Sequence, residues 1–440
     1  MIYLIILIIT FISCIYILKD FKKGVIIVIT LRLLIPASVR LIGAGISMNS
    51  FFTIVLFISF LIHKKYKKEM PAQLQLIIIL FLFSSIILTP FALNMTIGGQ
   101  ITKMISFFVV DMLLGILSWY AIQTKEDFKR LLSILFITFC IIGIYGIYEY
   151  ITKSNPYANW AMDMFGHENN PSTYFLTEKR GILEGRIMGT GSHPLTWGLL
   201  MSTVFAFFYS NKHMIQKRSH TILILSIIII NSFLCGSRSA LIMLGVYTIV
   251  RLLEKPNKIF RYLILTYFFL VFTINLLPKT ENTKVFIDTI ESSVFFWDET
   301  KSQEAGFSGS SASMRWDQLV FSFYLIQDSF FTGNGYGFSD IAQTNTTGKY
   351  EIMMGFESIL FTKIVNQGIL GLLFFFIFYF SLLKYTCKQT KDKSEKYKIA
   401  AFYFTYIVGI IFTGLQNSFY LFFFLAISEA KLYYLNKNNL

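Results

Sequence analysis

Apolar runs of about 17–25 residues recur along nearly the whole chain, and that recurrence decides its architecture. A bilayer-spanning helix needs such a run because it satisfies its own backbone hydrogen bonds where water is absent. The runs are continuous rather than alternating, which excludes spanning β-strands. Composition agrees: of 440 residues, 55% are hydrophobic, 17% aromatic and only 15% charged, against roughly a quarter charged in soluble domains. The expected fold class is an all-α polytopic membrane protein with about 13 transmembrane helices, within a range of about 12–14. The candidate spans are 2–18, 24–42, 50–63, 72–90, 101–122, 128–151, 191–211, 219–235, 238–253, 259–277, 356–383, 398–414 and 417–434.

The net charge of +14 invites a nucleic-acid reading. Its placement rejects that, because the basic residues cluster in short segments between hydrophobic runs. With the N-terminus outside, every second loop is cytoplasmic and basic, from Lys19/Lys22/Lys23 through Lys125/Lys129/Arg130 to the Lys384–Lys398 cluster. Those loops hold 25 of the 39 Lys and Arg residues, which predicts an N-out, C-in topology. The first apolar run lacks a basic start and a small-residue cleavage site, so it reads as a retained helix.

Five regions follow: N-terminal helices over 1–151, an outer loop over 152–190, central helices over 191–277, a large outer loop over 278–355 and C-terminal helices over 356–440. The large loop has helical spacing in 285–297 and 316–325, predicting amphipathic helices on the membrane surface. No internal repeat is visible.

Several chemistries are missing. There is no Walker-type phosphate loop, no His/Cys cluster with zinc spacing, no clustered Asp pair and no Gly-x-Ser-x-Gly elbow. The expectation is no cofactor and no metal. Cys14, Cys140, Cys235 and Cys387 are scattered and read as small hydrophobes.

The outer face instead carries three arginines. Arg186 sits in Gly185-Arg186-Ile-Met-Gly189-Thr-Gly191-Ser-His193-Pro194, Arg238 in Cys235-Gly-Ser-Arg238-Ser-Ala240 and Arg315 in Met314-Arg315-Trp316. A snorkelling side chain explains any one of them. Three together, against the positive-inside tendency, can hold a pyrophosphate through charge-assisted bonds. Glu357 opens the eleventh span, either as a general base or as a carboxylate favoured by a helix N-terminus. His193-Pro194 fits an acceptor-sugar or acid/base role and equally a helix start. Gly333-Asn-Gly335-Tyr-Gly337 reads as a close turn needing positive φ, and Gly368 and Gly371 as small residues that permit helix packing. Arg32 and Arg40, about eight residues apart on one helical face, can reach lipid phosphate.

The order of these motifs resembles the O-antigen ligase/polymerase superfamily: Arg186-x-x-Gly189 with His193-Pro194, Gly236-Ser-Arg238-Ser-Ala240, Arg315-Trp316 with Thr332-Gly333-x-Gly335, and Glu357-Ser358 with Gly368-Ile-Leu-Gly371. The match covers about 180–375. The resemblance implies a GT-C-like membrane glycosyltransferase acting on undecaprenyl-pyrophosphate-linked glycans, as both donor and acceptor. It also implies membrane lipid, chain-length regulator and flippase proteins as partners, and no nucleic acid. Ligases of that family carry a histidine and a small polar residue where this chain has Glu357-Ser358, so the resemblance leans toward Wzy-type polymerases. On this reading Arg186, Arg238 and Arg315 bind pyrophosphate and Glu357 is the catalytic base.

Overall fold

In a computed structural model, the described residues are 2–35, 39–40, 46–63, 69–165, 175–180, 183–215, 217–254, 268, 312–344, 356, 358–413 and 419–438. They are mostly helical. The helices are α1 (Ile2–Lys19), α2 (Phe21–Leu34), α3 (Met48–Ile62), α4 (Ala72–Leu88), α5 (Ile97–Ala121), α6 (Lys125–Thr152), α7 (Pro156–Phe165), α8 (Pro194–Ser210), α9 (Arg218–Leu234), α10 (Arg238–Leu252), α11 (Ala312–Leu325), α12 (Phe338–Thr344), α13 (Ile359–Lys388), α14 (Lys393–Thr413) and α15 (Phe419–Asn438). A two-residue hairpin pairs β1 (Lys179–Arg180) with β2 (Leu183–Glu184).

Among the described residues, four helical stretches are long and apolar enough to cross a membrane: Ala72–Phe91, Ile97–Ala121, Lys125–Thr152 and Ile359–Lys388. Shorter apolar helices accompany them, including Met48–Ile62, Pro194–Ser210 and Arg218–Leu234. A helix lies on each expected segment except 259–277, which falls outside the described residues save for position 268. The second segment is shorter than expected. Its helix stops at Leu34, and the Ile35 backbone turns extended just ahead of Pro36, because the residue before a proline is driven out of helical conformation.

The outward faces of these helices are strongly apolar. On α4, Leu76, Ile79, Leu80, Phe83, Ile86 and Ile87 are all exposed. On α6, Ile137, Ile141 and Ile144 form a similar stripe. Contiguous apolar surface of this extent is rare on soluble monomers and marks contact with a membrane or a partner. The inward faces form one large core in which α10 runs along α14, α8 packs on α9 and α10, and α13 packs on α4.

Helix α11 covers the expected 316–325 segment. Trp316, Val320, Phe323 and Tyr324 point outward, while Gln318 and Ser322 are fully buried toward the protein. The other surface helix expected, 285–297, lies outside the described residues. Arg32 does not reach outward to lipid. A π-helical turn over Phe108–Met112 breaks the regular ladder of α5, and the Arg32 guanidinium turns inward to the Val110 carbonyl and to Asp111 Oδ1 at 3.1 Å.

Candidate functional site

Among the polar assemblies within the apolar core, two hold residues of the motif series. The first is built on the segment from Gly185 to Thr190. This extended stretch cannot hydrogen-bond to itself, so its backbone borrows partners from several elements. The Arg186 N–H donates to Phe175 O at 2.8 Å and the Ile187 N–H to Leu234 O at 3.2 Å. The carboxylate of Glu149, wholly buried in α6, accepts from Met188 N at 3.2 Å and Gly189 N at 2.7 Å. Asn155 Nδ2 donates to Gly189 O at 3.0 Å. Thr190 Oγ1 donates to Leu33 O at 2.8 Å.

This stitching presents Arg186 inward, where only 2% of the residue is exposed. Its Nε donates to Cys235 O at 3.0 Å and its Nη1 to Glu178 Oε2 at 3.0 Å. The Phe175 ring lies 5.6 Å from the guanidinium carbon. The turn it grips, Cys235–Ser237, leads directly into α10, whose first residue is Arg238. Two of the three expected arginines therefore share one turn. His193 is the N-cap of α8: its Nδ1 accepts from Leu195 N at 3.1 Å, and its ring stands edge-on to Phe175 at 4.6 Å.

The second assembly is a broken helix. Within α13, Gly368 has φ 63° and ψ −165°, a region essentially reserved for glycine. The turn Phe330–Gly335 inserts at the break and completes both severed ends. Asn334 N donates to Val365 O at 2.9 Å and Gly335 N to Asn366 O at 2.8 Å. On the other side, Ile369 N donates to Phe330 O at 3.1 Å and Leu370 N to Phe331 O at 3.2 Å. A Cβ on Gly368 would lie 2.5 Å from the carbonyl carbon of Phe331. Gly368 is thus a break point rather than a packing residue, which corrects the expectation. Gly333, Gly335 and Gly337 do adopt the expected positive φ, at 70°, 119° and 91°.

One turn before the break, Lys363 is 95% buried, with 5% of the residue exposed. Its Nζ donates to Gln367 Oε1 at 3.1 Å and lies 5.5 Å from the Tyr336 ring, 5.7 Å from Phe375 and 5.8 Å from Phe81. Among the described residues no carboxylate pairs with it. Arg315, half-buried on α11, donates to Gln318 Oε1 at 3.2 Å. Helix α11 packs on α13, which sets Arg315 on an element in contact with the broken helix. Glu357 lies outside the described residues.

Glu149, Glu178 and Lys363 were not singled out in the sequence. Two of them had a signal: Glu149 and Lys363 each sit alone in a long apolar run, and an ionisable residue there is a functional candidate by default. Glu178 had none, because it lies in an ordinary polar loop. No protein-family model and no curated protein matches the chain.

Proposed function

We propose that the chain is a metal-independent membrane glycosyltransferase that polymerises undecaprenyl-pyrophosphate-linked oligosaccharide repeat units into O-antigen, capsular or other exopolysaccharide. In this reading it has about 13 spans, a GT-C-like arrangement, an outside N-terminus, a cytoplasmic C-terminus and a site open to the outer face. The observation that carries the proposal is the Arg186 turn. Its guanidinium lies against the Cys235–Ser237 turn that begins the helix of Arg238, so two positions of the motif series are joined at one backbone turn.

Glu178 lies 3.0 Å from Arg186 Nη1. A carboxylate there presents the oxygen geometry that a phosphate presents to an arginine. The donor pyrophosphate takes over that contact, and Arg238 and Arg315 complete the grip. An acceptor hydroxyl attacks the donor's anomeric carbon as the bond to the pyrophosphate oxygen breaks. Glu357 accepts the hydroxyl proton, polyprenyl pyrophosphate leaves with the bonding electrons, and the configuration inverts. The arginines stabilise the charge that gathers on the leaving group. Both substrates are held in one bilayer, which raises their effective concentration.

The test is incubation of the purified protein with a single lipid-linked repeat unit. A ladder of longer lipid-linked products is expected. Product on an added lipid or protein acceptor, with no ladder, makes it a ligase instead. Glu357→Gln with full ladder formation would remove Glu357 as base.

The break at Gly368 favours one rival, a transporter of the same glycolipid, because transporters build substrate sites at broken helices. Weighing against it, both severed ends of α13 are hydrogen-bonded to the 330–335 turn rather than turned toward a substrate. Movement of a fluorescent lipid-linked glycan across liposomes, without polymer, would decide for transport.

A further inference from the structure

A third polar feature lies away from both assemblies, where α2 and α6 begin. A cavity of about 90 Å³ is lined by Asp20, Lys22, Lys23 and Val25, and by Asp127 and Arg130 among its other walls. One water needs about 10–15 Å³ of such space, so this cavity admits a group of phosphate size.

The electrostatics of the lining are uneven. Both carboxylates are committed to helix starts. Asp20 caps α2 by accepting from Lys23 N at 3.2 Å. Asp127 closes the capping box of α6, accepting from Thr124 N at 3.0 Å and Gln123 N at 3.1 Å. It also takes Lys22 Nζ at 2.6 Å. The Lys23 ammonium has only a 3.9 Å approach to Asp20, and among the described residues no carboxylate pairs with Arg130. Two cations therefore face the cavity with little internal compensation. The remaining wall is apolar: Val25, Ala121, Ile122 and Leu131 are buried and Ile26 half-buried.

We propose that this cavity is a binding site for a phosphate group, supplied by the headgroup of an acidic phospholipid. Lys23 and Arg130 hold the phosphate oxygens, with Arg130 offering a fork that matches them. The apolar wall receives the start of an acyl chain, which is what separates a lipid from free phosphate. Basic pockets between membrane helices suit such headgroups. The site is independent of the glycan chemistry proposed above.

The full-length protein is reconstituted into nanodiscs of phosphatidylcholine, with or without phosphatidylglycerol, and bound lipid is counted by native mass spectrometry on release. Retention of phosphatidylglycerol over phosphatidylcholine is expected. The double variant Lys23→Gln/Arg130→Gln should weaken that preference by at least about tenfold. Both side chains are exposed, so the variant should fold. The control Lys125→Gln/Lys129→Gln removes the same charge from exposed positions of α6 that do not line the cavity, and should keep the preference. Equal retention by wild type and the first variant, or equal loss in both variants, overturns the site. Protection from thermal unfolding by millimolar inorganic phosphate, with no preference between the two lipids, overturns the lipid as its source.

Discussion

The Arg186 turn and the Gly368 break both put a cation inside an apolar core, and they settle it in opposite ways. Arg186 meets a carboxylate, a carbonyl and an aromatic face. Its neighbour Glu149 is in turn satisfied by two backbone amides. Lys363 meets one neutral amide and three rings. A buried ion pair holds a segment in place and is costly to half-remove. A buried ammonium without a counter-ion is a standing cost, tolerated where it serves the protein's work. In the first region the cation itself anchors the segment. In the second the glycine break anchors, and among the described residues no carboxylate holds the cation.

The sharpest way to break this contrast is at Gly368. Alanine there would force a glycine-only backbone region and a contact with Phe331, and should destabilise the protein by more than about 3 kcal/mol. Thermal unfolding in detergent, followed by size exclusion, reads this directly. Gly245→Ala is the matched control. Its Cβ would meet nothing within 4 Å, so the change should gain about 0.5–1 kcal/mol.

The next largest effect is at the ion pair. Arg186→Met takes the guanidinium from the half-buried Glu178 carboxylate and should lose about 3–5 kcal/mol. Adding Glu178→Met should restore most of that stability. A stable double variant that makes no polymer would separate binding from anchoring at Arg186, while one that still makes polymer would leave the residue only its structural role.

Glu149→Gln keeps the shape and removes the charge that Met188 and Gly189 share. About 1–2 kcal/mol should be lost, measured in the same melt. Lys363→Met preserves volume and should raise stability by about 1 kcal/mol or more while ladder formation falls. If polymer yield holds, the second region is a scaffold and the contrast with the first collapses. The smallest change is expected for His193→Asn. Asparagine is a good N-cap, so the melt should move by less than about 0.5 kcal/mol. A loss of polymer at unchanged stability would restore an acid/base role to His193.

The helices were legible because membrane helices carry their signal locally, in length and apolarity. Segments 128–151 and 72–90 fall within a few residues of α6 and α4. The glycine turn at 333–337 was legible for the same reason, since positive φ is written in the residue type. The break in α13 was not. Gly368 in an apolar run looks like a packing glycine, and only the distant 330–335 turn makes it a break. Of the candidate residues, Arg186 lies against the turn that leads into the helix of Arg238, but nothing local says that Glu178 already holds its guanidinium. Nor does anything local say that the helix of Arg315 packs on α13, because that is a tertiary fact. Arg32 misled in the same way, since its inward partners at Val110 and Asp111 depend on a π turn about 78 residues away.

The completed break in α13 also bears on how the chain is made. The Phe330–Gly335 turn comes before Gly368 in the sequence, so it exists before the helix that needs it. Without it, the carbonyls of Val365 and Asn366 stand four residues ahead of the amides of Ile369 and Leu370, and the segment would close into a regular, unbroken helix. Synthesis from the N-terminus thus delivers the plug ahead of the gap. A circular permutant that placed residues 359–388 first would emerge with an unbroken helix that the turn must later open, although every contact of the finished protein would still be encoded.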